Sequence, residues 1–171
     1  LNRLLPDVPS STSNGQMFGF AGNVYLTVAN ELMAHGHSAE GRVVLLTALG
    51  WFEQHDAEVN ASGNVALRKA LTLMALGRND EAIAVLRLNP SRDSADTRFR
   101  GLLGRNYALL GRTAGMKAEL AWLESRPGAA LLGTTTLERA TIAVNLGRDH
   151  WDEAVGLLED ALRQGQGYGI R

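Results

Sequence analysis

Three features of the sequence predict an all-α chain of about four antiparallel helical hairpins. The tripeptide Leu-Gly-Arg occurs at 76–78, 110–112 and 146–148. Each copy follows one amphipathic run of helical period and precedes another. Small residues recur at matching distances from the glycines: Ala29, Ala70, Gly104 and Ala140 each lie seven positions before one. With Gly36 added, the turn glycines Gly36, Gly77, Gly111 and Gly147 are spaced by 41, 34 and 36 residues. That interval is the length of one helical-hairpin repeat.

Residues 1–21 read as a linker or N-terminal extension. Pro6, Pro9 and the run Ser10 to Gly15 hold no periodicity. Helical texture begins near Gly22 and continues to residue 164. The expected hairpins span 22–54, 63–88, 96–125 and 134–164. In each, the glycine stops the first helix, because a left-handed residue costs least where no Cβ is present. Ser38, Asn79, Thr113 and Asp149 follow as candidate caps for the second helices. Glu40, Asp80 with Glu81, and Asp152 with Glu153 then fall in first turns, at the positive end of the helix dipole. Arg78, Arg112 and Arg148 are placed to serve the carbonyl end of the preceding helix.

The joints "HDAEVNAS" (55–62), "NPSRDS" (89–94) and "RPGAALLGT" (126–134) are expected to be non-helical. Pro90 and Pro127 stand where proline can stop a helix. The apolar positions Ile83, Val85, Leu86, Leu120, Leu123, Val155, Leu158 and Leu162 are expected in the core, with Trp51, Trp122 and Trp151 packing beside them. The last stretch, 165–171, is Gly-rich and closes no element. Together with the start at Leu1, it suggests a segment of a larger bacterial protein whose further chain would cover the last helix.

The repeat pattern resembles the tetratricopeptide repeat family. "LLGRNYALLGR" (102–112) carries that family's first-helix pattern in Leu103, Gly104, Tyr107 and Gly111. "GRNDEAIAVL" (77–86) and "DEAVGLLEDAL" (152–162) are similar to its second helices. The likeness covers about residues 22–164. The usual aromatic near the start of the first helix appears only as Tyr25, and the first spacing is long. The resemblance implies a right-handed solenoid whose first helices line a concave ligand groove.

Composition narrows the function. A formal charge of −1 and scattered arginines argue against nucleic-acid binding, which needs many positive charges together. The chain has no cysteine, so thiol catalysis and cysteine-bound metal are excluded. No apolar run reaches membrane-span length. The sequence lacks a G-x-S-x-G elbow and a phosphate-binding G-x-x-x-x-G-K-[ST] loop. His35 and His37 flank Gly36, yet no acidic third ligand accompanies them. No catalytic residues, cofactor or metal are therefore expected.

The resemblance transfers the groove to Asn23, Asn30 and Met33 in the first hairpin and to Asn64 and Met74 in the second. Arg98 and Arg105 follow in the third, and Asn145 in the fourth. Amides bond both edges of an extended peptide. Arginines fork onto carboxylates, and methionines adapt to varied apolar surfaces. The expected function is a non-enzymatic protein- or peptide-binding scaffold module. Its partner would be acidic or end in a free carboxylate. The alternative is a structural subunit or spacer permanently docked in an assembly. Compartment is not encoded, with the cytoplasm slightly favoured.

Overall fold

The computed structural model describes residues 21–93, 97–125 and 129–166. Of the expected linker 1–21 only Ala21 is described, as the first residue of a helix, and of the expected tail 165–171 only Gly165 and Gln166, which end the last helix; the rest of both lies outside the described residues. Among the described residues all regular structure is helical: α1 (Ala21–Ala34), α2 (Ser38–Gln54), α3 (Asp56–Ala61), α4 (Gly63–Ala75), α5 (Asn79–Leu88), α6 (Thr97–Leu109), α7 (Thr113–Glu124), α8 (Ala129–Leu146) and α9 (Trp151–Gln166). Short 3-10 turns lie at Pro90–Asp93 and Arg148–His150. The fold class is all-α. The chain divides into two compact units, Leu1–Pro90 and Ser91–Arg171.

The recurrent Leu-Gly-Arg has a backbone explanation. Gly77 takes φ +76°. Its N–H donates to the Met74 carbonyl at 2.9 Å, and the Arg78 N–H reaches back to the Leu73 carbonyl at 2.8 Å. This pair of bonds is a Schellman closure. The Arg78 carbonyl then accepts from the Ala82 N–H at 3.1 Å, which starts α5. One residue thus ends one helix and caps the next, and the turn needs only three residues. Gly111 with Arg112 and Gly36 with His37 repeat the pattern. At Gly147 the φ is +113°, and a 3-10 turn precedes α9 instead. Two extra residues, Arg148 to His150 in place of a single arginine, account for the departure.

This geometry corrects two expectations. Ser38, Asn79 and Thr113 are the first helical residues and not the caps; the cap positions belong to His37, Arg78 and Arg112, none with a side-chain cap bond. The Arg78 side chain turns forward, away from the preceding helix. Its Nε and Nη2 donate to the two carboxylate oxygens of Glu81 at 2.6 and 2.5 Å. That hydrogen bonding draws the Glu81 carboxyl below its usual range. The pair is exposed, so it stabilises little.

In the first unit, α1 and α2 run antiparallel. Gly22 at the start of α1 lies against Phe52 and Trp51 near the end of α2, while Gly41 near the start of α2 lies against Met33. Val44, Leu45, Ala48, Phe52, Val65, Ala70, Leu73, Ile83 and Leu86 are buried. The joint 55–62 is helical as α3, contrary to expectation. Buried Val59 anchors it, and its carbonyl accepts from Asn89 Nδ2 at 3.0 Å. Lys69 Nζ also holds Asp56 at 2.8 Å. Turn-type residues were overruled here by tertiary contacts.

In the second unit, α6 and α7 are antiparallel: Gly115 near the start of α7 abuts the Tyr107 ring. Arg100 near the start of α6 reaches Glu119 and Trp122 later in α7. α8 lies parallel to α6, with Gly101 against Glu138 and Gly104 against Ile142. Ala108, Met116, Leu123 and Ile142 form the core, flanked by Tyr107, Leu120, Trp122 and Leu146. α8 begins at Ala129, inside the joint expected at 126–134. Ala129 to Leu132 are strong helix formers and extend it. Val155 and Leu158, expected in the core, are exposed, as is Trp151. The inner face of α9 is carried instead by Ala154 and, in part, Leu157. Leu162 falls among side chains outside the description.

The contact at Gly104 is testable. A Cβ there would meet Ile142 Cγ1 at 2.9 Å. Gly104→Ala should therefore destabilise the chain by about 1–3 kcal/mol through overpacking. Ile142→Val in the same background should recover part of the loss. Urea unfolding of the four proteins of this cycle measures it; simple additivity would show that the two sites do not touch.

Candidate functional site

The residues expected to line a groove divide between the two units. In the first, Asn23 is buried, which corrects its assignment to an open face. It follows Gly22, where α1 lies against the Phe52 and Trp51 rings, and its carbonyl accepts from Thr27 Oγ1 at 3.0 Å. Asn30 and Met33 are exposed; Asn64 and Met74 are half-buried.

In the second unit, Asn145 is half-buried, and its Nδ2 donates to the Thr141 carbonyl at 2.6 Å. Its amide donor thus serves its own helix. Arg98 is exposed and Arg105 half-buried. They stand seven positions apart on α6, which places them on one face about 10 Å apart along the axis. Gly101 lies between them on that face. Because it has no side chain, the Glu138 carboxyl of α8 comes directly over the α6 backbone. Arg98, Gly101, Glu138 and Arg105 therefore make one polar surface where α6 and α8 adjoin. The Nε of Arg105 is buried and has no hydrogen-bond partner. A ligand cannot reach that atom, but Arg105 as a whole is only half-buried, so the rest of its guanidinium can meet an anionic acceptor.

A second polar cluster lies between α6 and α7. Arg100 Nη1 donates to Glu119 Oε2 at 3.0 Å, with side-chain exposures of 11% and 6%. The Arg100 guanidinium also sits over the Trp122 ring, 4.7 Å from its centroid. The sequence singles out acids only in the first turns of second helices, and Glu119 is not among them. The signal was present: Met116, Glu119 and Leu123 share one helical face. Glu119 and the Trp122 ring engage the Arg100 guanidinium within the chain, which is the arrangement of a structural ion pair, although its Nε is buried without a hydrogen bond. Glu138 was also missed, because only a glycine opposite it makes its position meaningful.

Compared with known proteins, the chain matches no family model, no curated protein and no solved structure. The reading of function rests on residues and geometry alone. Among the described residues, no three His, Asp or Glu side chains gather as a metal site would require. His35 and His37 are exposed in their turn, and His35 Nε2 lies 3.8 Å from Glu31. No helix among the described residues is long and apolar enough to cross a membrane.

Proposed function

We propose that the chain is a non-enzymatic protein- or peptide-binding module whose ligand face in the second unit is the Arg98–Gly101–Arg105 surface. The observation that carries this reading is the pair of arginines, Arg98 exposed and Arg105 half-buried, seven positions apart on one face of α6. Such a face holds a carboxylate, either an acidic side chain or a peptide C-terminus. Glu138 sits between the arginines and favours a ligand whose carboxylate engages Arg105 at one end of the surface.

A peptide library with both free and amidated C-termini tests the proposal. Selection on the wild-type chain should enrich acidic or free-carboxylate sequences. Arg98→Glu/Arg105→Glu should lose them, with affinity falling about tenfold or more. Identical enrichment on both proteins would sink the assignment.

The docked-subunit reading has its own support, because three apolar side chains of α9 stand exposed on one stripe. A permanently assembled chain would bury them. Sedimentation of the isolated chain distinguishes the two: aggregation without partners favours the subunit, and a stable monomer the module.

A further inference from the structure

We infer that the exposed stripe of α9 is a docking site for an amphipathic partner helix with basic residues along one flank. Trp151, Val155 and Leu158 are 50%, 53% and 38% exposed. They recur at positions i, i+4 and i+7, the spacing at which one helix offers anchors to another. The surface is distinct from the Arg98–Arg105 face and does not depend on it.

The two sides of the stripe differ. One side leads to buried Ala154, so it is bounded by the protein itself. The other carries Asp152 and Glu159, each one position beyond a stripe residue and therefore on the same flank. Both are exposed, and among the described residues neither has an ion-pair partner. The neighbouring acids differ, since Glu153 lies 3.2 Å from His150 and Asp160 pairs with Arg163. The occupant is therefore held between the fold and an uncompensated acidic rim. An apolar face meets the stripe, and lysines or arginines meet the rim.

The same rim argues against a second copy as occupant. An antiparallel self-pair centred on Val155 brings Asp152 of one chain beside Glu159 of the other. Like charges so placed oppose association. Arg148 lies over the Trp151 ring at 5.6 Å and bounds the stripe at its N-terminal end.

Two helical peptides of about five turns test this, with identical leucine faces and either lysine or glutamate flanks. Binding to the whole chain is read by anisotropy of the labelled peptide. The lysine peptide should bind about tenfold tighter than the glutamate peptide at low ionic strength, and the gap should shrink with salt. Asp152→Lys/Glu159→Lys should reverse the preference, and Val155→Glu should abolish binding of both. All three positions are exposed, so folding is spared, and circular dichroism verifies that. Arg98→Glu/Arg105→Glu should leave this binding intact. Equal binding of the two peptides, or none, overturns the inference. A dimer in sedimentation that Val155→Glu dissolves also overturns it, because the occupant is then a second copy.

Discussion

Replacing Glu119 with alanine is expected to destabilise the chain by about 3–5 kcal/mol, which is a large share of a small domain's total stability. The cost arises from what remains. Arg100 keeps its charge, is only 11% exposed, and loses the carboxylate 3.0 Å away. The cation–π contact with Trp122 does not replace that carboxylate, since such a contact is worth about 0.5–2 kcal/mol. Glu119→Gln keeps the shape and one acceptor, and should fall between wild type and Glu119→Ala. The double replacement Arg100→Met/Glu119→Leu removes both charges and fills the space. It should be close to neutral, or stabilising by about 1–4 kcal/mol. Urea unfolding monitored at 222 nm by circular dichroism reads all four proteins, with extrapolation along the linear denaturant dependence. A Glu119→Ala loss below about 1 kcal/mol would mean the pair behaves as a solvated surface contact.

The contrast between Glu119 and the turn glycines shows what a sequence can and cannot reveal. Gly36, Gly77 and Gly111 are legible because the chemistry is local: a positive φ favours glycine wherever the chain lies. The helices around them are legible for a related reason, since an apolar period of 3.6 is written along each segment. Glu119 is different. A carboxylate on an apolar face is read as a surface residue unless its partner is known, and Arg100 lies 19 positions away on another helix. The same limit applies to Asn23, a polar residue that is buried. It applies to α3, where Val59 and Asn89 make a helix out of a segment with turn composition. For α9 the apolar period was readable, but a period says which face is apolar and not whether anything covers it. Val155 and Leu158 are expected in the core on that ground, with Trp151 packing beside it, and all three stand exposed. The arginines of the ligand face were readable as residue types. The glycine that admits Glu138 between them gained its meaning only from the packing of α6 on α8.

Phe52→Ala is expected to cost about 3–5 kcal/mol, the usual range for deleting a fully buried aromatic ring. Phe52 has 0% exposure and contacts the start of α1 at Gly22. It also meets the Trp51 ring edge-on, with centroids 5.3 Å apart, and Trp51 in turn stacks on His55 at 4.1 Å. Removing the ring therefore opens a cavity and takes away an aromatic partner. The position of Gly22 supplies a sharper test than the loss itself. A Cβ at residue 22 would lie 2.6 Å from Phe52 Cζ, so Gly22→Ala alone should destabilise the wild type by overpacking. In the Phe52→Ala background the same methyl enters the vacated space. The two substitutions should then couple favourably by about 0.5–3 kcal/mol in a double-mutant cycle. Thermal and urea unfolding of the four proteins give the coupling. Additive losses would place the start of α1 away from Phe52. A favourable coupling would instead show that the glycine is required by the ring it faces, since α1 as a helix prefers alanine there by about 1 kcal/mol.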